Sequence, residues 1–165
     1  MRKRFLVGLV LLASLLVFGC IDYSEYRGIP SDNPCLNLTD SIGRDTCFFQ
    51  QAVENRNVRY CSVLKDYARS WRCAEELALI TKDPLVCEYI VDDSSGLKNH
   101  CIATTAVELR NESFCDIINS RMFFDFSQER DECVAQVAAI SKNASVCEAI
   151  NNASFKQTCL ERVST

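Results

Sequence analysis

Cysteine is the residue type with the most chemistry to offer in this chain, with 11 copies among 165 residues. Thiols at the right spacing exchange electrons, bind soft metals, attack carbonyls or close disulfides. No two cysteines here stand closer than 12 positions, so the Cys-x-x-Cys pair of a thiol–disulfide oxidoreductase is missing. Structural zinc would need similar close spacing or several histidines, and His100 is the only histidine. Eleven is also odd, which a framework of paired cysteines cannot use completely.

The first twenty residues account for the odd one. Met1-Arg2-Lys3-Arg4 is basic, and Phe5 to Phe18 carries no charge. A basic start, a short apolar run and a small residue before a cut describe a secretory signal peptide, and fourteen residues are short for a spanning helix. Val17-Phe18-Gly19-Cys20 resembles the lipobox of prokaryotic (bacterial or archaeal) lipoproteins. The resemblance covers residues 1–20 and implies cleavage after Gly19, with acyl chains such as palmitate on Cys20. The alternative is an uncleaved anchor from Phe5 to Ile21, with Cys20 incidental. Either reading, or plain secretion, places the rest of the chain outside the cytoplasm, and the lipoprotein reading anchors it to the cell membrane. Removing residues 1–19 takes away three basic residues and no acid, so a formal charge of −4 becomes −7. An acidic body is repelled by anionic head groups, leaving attachment to the lipid. It is also no footprint for nucleic acid.

Ten cysteines remain, at 35, 47, 61, 73, 87, 101, 115, 133, 147 and 159. From 47 to 61, 73 to 87, 101 to 115 and 133 to 147 the step is always 14, while the other steps run from 12 to 18. One connector is rigid in length and the other varies, as a helix and a loop would. Three residues after the first cysteine of each unit stands Leu38, Leu64, Ile90, Ile118 or Ile150. Five residues after the second stands Ala52, Ala78, Ala106 or Ala138, and ten after it Asn57, Asp83, Asn111 or Asn143. These recurrences define five units.

Asp83-Pro84 is a helix start, an N-cap acceptor followed by the residue tolerated at N1. Asn57, Asn111 and Asn143 stand at the same place, so each unit's first helix is expected to begin there, with its cysteine near the fourth position. Glu88, Asp116 and Glu148 follow that cysteine where the helix dipole favours acids, which makes them structural rather than catalytic. A second helix is expected to carry the other cysteine near its start and the alanine on its inner side. In Cys133–Ile140 and Ala74–Ile80, apolar residues recur at helical spacing. The expected fold is all-α, a tandem array of about five short helical hairpins stapled by disulfides. No single unit has enough apolar residues for a core, so neighbours must stack. Tetratricopeptide and ankyrin signatures are absent. The domain plan is a signal peptide over 1–19, a lipidated Cys20 with a tether over 20–32, and the repeat over 33–165.

Two pairing schemes are regular. Pairing within units joins 35–47, 61–73, 87–101, 115–133 and 147–159 and uses every cysteine. Pairing across the fixed step strands Cys35 and Cys159 and sets the two cysteines of a pair about nine and four residues from their shared loop. Given a rise of about 1.5 Å per residue, that offset is hard to close across an antiparallel pair, which favours the first scheme.

Other chemistry is thin. His100 aligns with Thr46, Arg72, Glu132 and Thr158, a variable surface position. Asp92-Asp93-Ser94-Ser95-Gly96 lacks the alternating ligands of a calcium loop and reads as a turn. Gly43 and Gly96 are expected in the variable connectors. Met122, Phe123, Phe124 and Phe126 in the longest connector form a candidate partner patch, the alternative being rings that pack onto the core. Four Asn-x-Ser/Thr sequons, at Asn37, Asn111, Asn143 and Asn152, are candidate glycosylation sites, the alternative being chance in an Asn- and Ser-rich chain. No catalytic residue, cofactor or metal ligand is nominated. The expected function is a non-catalytic, lipid-anchored binding or scaffold module with an unidentified protein partner; the alternative is a thiolate metal-storage or metal-handling protein with reduced cysteines.

Overall fold

The structure is a computed structural model and describes residues 28–90, 96–120 and 127–164, apart from the side chains of 119 and 120. Ser31–Thr165 forms one compact unit. The fold is all-α, with no strand among the described residues. Five long helices carry it: α1 (Ser41–Asn55), α2 (Tyr67–Thr81), α3 (Leu97–Leu109), α4 (Ser127–Ser141) and α5 (Ala153–Ser164). A short arm precedes each, at Pro34–Asn37, Arg59–Ser62, Pro84–Tyr89, Glu112–Ser120 and Ala144–Ala149. The substantial contacts run between neighbours in the chain: consecutive long helices pack together, and the short arms of units 3 to 5 wedge between the long helices on either side. Stacking thus buries what one unit could not.

The short arms differ from the expected α-helices. Four are 3₁₀ helices, and the second is a single α turn. Their starts explain this. Asn33, Asn57, Asp83, Asn111 and Asn143 each accept a side-chain hydrogen bond from the amide two residues on, and a backbone bond from the amide three residues on. At three residues per turn, positions i and i+3 eclipse. That geometry puts the first cysteine of a unit and the aliphatic residue three further on upon one side. Leu64, Ile90, Ile118 and Ile150 are accordingly buried; Leu38, in the outermost unit, is the exception at 41% exposed.

The fixed step of 14 has an equally local cause. Each of α1 to α4 ends on a residue in the left-handed region: Arg56, Lys82, Arg110 and Lys142, with φ between 49° and 57°. The amide of the following residue reaches back to the carbonyl of the repeated alanine: Asn57 to Ala52 at 3.0 Å, Asp83 to Ala78 at 3.1 Å, Asn111 to Ala106 at 2.9 Å and Asn143 to Ala138 at 3.1 Å. This is the Schellman helix end. One residue closes a helix and the next caps the following arm, so nothing between them can lengthen. All four alanines are fully buried.

Glycine would take the left-handed conformation freely, whereas a side chain there costs about 1 kcal/mol. A basic residue recovers part of this by facing the negative end of the helix dipole. Lys142→Gly therefore raises the unfolding free energy by about 0.5–1 kcal/mol, read as a higher denaturant midpoint at unchanged slope.

Two smaller expectations are corrected. Ile80 and Ile140 are exposed, on the outer side of α2 and α4, while Leu77, Ala78, Val137 and Ala138 carry the packing. Gly43 lies inside α1 rather than in a connector. There Asp40 caps the helix, its Oδ2 accepting from the Gly43 amide at 2.5 Å, and a Cβ on Gly43 would sit 2.7 Å from that oxygen. Gly96 does end a connector, as the αL residue (φ 69°) before α3.

Candidate functional site

The ten repeat cysteines close five disulfides within units: Cys35–Cys47, Cys61–Cys73, Cys87–Cys101, Cys115–Cys133 and Cys147–Cys159. Cα separations of 5.5–5.8 Å lie where unforced bridges fall. The second cysteine is not near the start of its helix. It is the seventh residue of α1, α2, α4 and α5 and the fifth of α3. Each short arm therefore lies against the second turn of its own long helix, and the connector must run back along the first. The variable steps of 12 to 18 measure that connector, where extra residues can loop outward. Nine of these cysteines are buried; Cys47 is half-buried.

A second device joins one unit to the next, and the recurrences in the sequence did not reveal it. Two residues before the second cysteine stand Asp45 in unit 1 and Asp131 in unit 4, both buried. Asp45 accepts from the backbone amides of Lys65 and Asp66 at 3.3 and 2.9 Å. Asp131 accepts from those of Asn151 and Asn152 at the same two distances. Each carboxylate thus holds the end of the following unit's connector, immediately before α2 or α5. Charge-assisted bonds of this kind are about twice as strong as neutral ones. A signal was present, since an acid at this position of an otherwise apolar face is costly unless it is fully bonded.

The acids after the first cysteines also have partners. Arg130 Nε and Nη2 donate to Asp116 Oδ1 at 3.1 and 2.9 Å, while Nη1 donates to Asp131 Oδ1 at 3.0 Å and to the Ala149 carbonyl. Lys156 bonds Glu148 at 2.5 Å in unit 5. These pairs tie a short arm to its long helix beside the disulfide, so the acids act through ion pairs rather than through the helix dipole alone. Burial opposes the charge on Arg130, but its bonds to Asp116 and Asp131 outweigh that and raise its pKa above the ordinary arginine value. With the shift upward, the stabilisation is complete below the ordinary arginine range and is lost only as pH rises through the raised value.

An open cleft of about 260 Å³ separates α3 from α4, lined on its polar side by Asn99, His100, Glu129, Glu132 and Gln136. Asn99 occupies in unit 3 the place of Asp45 and Asp131. It is 5% exposed, its Nδ2 donates to Glu129 Oε2 at 2.5 Å, and its Oδ1 has no hydrogen-bond partner. His100 is exposed, as expected for a variable position, and tilts against Trp71 of α2 with ring centroids 5.9 Å apart. A second cleft of about 220 Å³ lies between α4 and α5 and shares Glu132 with the first. Carboxylates and an amide oxygen suit a hydrogen-bond donor or a cation. No group of three or more His, Cys, Asp or Glu placed to hold a metal occurs among the described residues.

The remaining candidates divide. Cys20, Met122, Phe123, Phe124 and Phe126 lie outside the described residues. Three of the sequon asparagines are caps. Asn111 and Asn143 each accept from the amide and hydroxyl of the serine two residues on, and Asn152 accepts from the amides of Ser154 and Phe155 at the start of α5. Asn37 is exposed and caps nothing. No helix among the described residues is long and apolar enough to cross a membrane.

The described chain is thus an all-α, disulfide-stapled stack of short arms and long helices, with small open clefts on its surface. Comparison with protein-family models, with curated proteins and with solved structures found no match to this chain.

Proposed function

We propose that the protein is a lipid-anchored extracytoplasmic module with a non-catalytic binding or scaffold role, held to the cell membrane through Cys20. The observation that supports this best is the closure of all ten repeat cysteines in five local disulfides. Such bridges form and persist in oxidising compartments outside the cytoplasm. The lipobox-like Val17–Cys20 supplies the address, and two acyl chains are what stable attachment requires. The stack would present its clefts and variable connectors to a partner, while the acidic body stands off an anionic surface. The thiolate metal store needs free thiols, and an oxidised repeat has none to give.

Cys20→Ala decides the anchoring. In the protein's own host, the wild-type chain takes up radiolabelled palmitate and begins at an acylated Cys20, whereas the C20A chain takes up none and keeps residues 1–19. A wild-type chain that keeps residues 1–19 and carries no acyl chain on Cys20 overturns lipidation in favour of the uncleaved anchor.

A further inference from the structure

Asn37 differs from the other three sequon asparagines in what its side chain does. Asn111, Asn143 and Asn152 each use the side-chain oxygen to hold the start of a helical segment. In two of them the sequon serine hydroxyl closes onto the same oxygen at 2.8 Å. Asx capping thus accounts for those Asn-x-Ser triplets without any modification. Asn37 ends the first short arm, exposed, in the connector that leads through Leu38 and Thr39 to the Asp40 cap of α1. Its neighbourhood adds an independent observation. Leu38 follows it directly and Ile42 stands five residues on, and they are 41% and 63% exposed, two of the five large aliphatic side chains left open to water among the described residues. The matching aliphatic residues Leu64, Ile90, Ile118 and Ile150 are buried. Something polar over this edge of unit 1 would shield what stacking covers elsewhere.

We infer that Asn37 is the one N-glycosylated asparagine among the four sequons, and that its glycan covers the open apolar edge of the first unit. The donor is an oligosaccharide carried on a polyprenyl phosphate or diphosphate. The Asn37 Nδ2 attacks the anomeric carbon, forming the N–C1 bond. The C1–O bond to phosphate breaks, the lipid phosphate leaves with the electron pair, and Nδ2 gives up one proton to solvent. A sugar on Nδ2 at this site disturbs no cap. The inference rests on the extracytoplasmic reading above, because donor and transferase meet the chain there.

The test uses native protein from its own host, as wild type and as Asn37→Gln. Peptide mass mapping reads all four sequons, while intact mass before and after reduction reads the lipid and the disulfides. Expected are a glycan mass on the Asn37 peptide, unmodified peptides at 111, 143 and 152, and loss of the whole glycan mass in N37Q with all five disulfides intact. A lipidated, disulfide-bonded protein with Asn37 bare overturns this inference alone, as does a glycan on any capping asparagine. A reduced, unlipidated and unglycosylated chain overturns the extracytoplasmic reading as well.

Discussion

Replacing Asp131 with alanine lowers the unfolding free energy by about 3–5 kcal/mol, the range for breaking a buried pair from one side. The carboxylate is 2% exposed and makes three bonds, two to the amides that precede α5 and one to Arg130. Its loss leaves two connector amides without their acceptor and a buried guanidinium held by Asp116 and the Ala149 carbonyl. Asp45→Ala removes the corresponding acceptor of the Lys65 and Asp66 amides in unit 2, while the neighbouring Arg44 bonds the Leu38 and Thr39 carbonyls. Its expected cost is smaller, about 2–3 kcal/mol. Asp116 is mostly exposed, so Asp116→Ala costs only about 1 kcal/mol. Urea unfolding of the three variants checks the order. A cost for D131A no larger than for D116A would show that the interunit clamp contributes little.

The largest effect is expected from reduction. Each unit's bridge closes a loop of 12 to 18 residues, worth roughly 3 kcal/mol in the chain-entropy model. Together the five amount to on the order of 15 kcal/mol, at or above the whole stability of an ordinary domain. Short 3₁₀ arms have no intrinsic stability to replace them. Full reduction therefore abolishes the helical circular dichroism of the repeat at neutral pH. It also proceeds in order, because Cys47 is half-buried while the other nine cysteines are enclosed. The Cys35–Cys47 bridge opens first, as two alkylated thiols appear with the helical signal largely kept. A fully reduced repeat that keeps its native helicity would show the staples to be dispensable.

Much of this architecture is legible in the residues, for reasons that are local. The within-unit pairing follows from cysteine spacing and completeness, and the caps at Asn57, Asp83, Asn111 and Asn143 from side-chain chemistry. Asn33-Pro34 carries the same signature as Asp83-Pro84, but aligning the units on cysteine sets Pro34 opposite Tyr60 and hides it. The basic residue nine places after each second cysteine also recurs visibly, at Arg56, Lys82, Arg110 and Lys142. Its left-handed backbone was not foreseeable, since arginine and lysine do not favour that region. The choice of 3₁₀ over α in the short arms turns on hydrogen bonds shifted by one residue, below the resolution of a periodicity argument. The Asp45 and Asp131 clamps depend on amides about 20 residues away. Only stacking brings those together. The clefts beside α4 arise in the same way, from residues of successive units, so no single motif announces them.

One local disulfide per unit holds the repeat together. Digestion of native protein under alkylating, non-reducing conditions, followed by mass spectrometry of the linked peptides, tests it most directly. Expected are no alkylated cysteine among the ten and linked pairs 35–47, 61–73, 87–101, 115–133 and 147–159. Free thiols in the native protein, or pairs such as 47–61 across the fixed step, would contradict it.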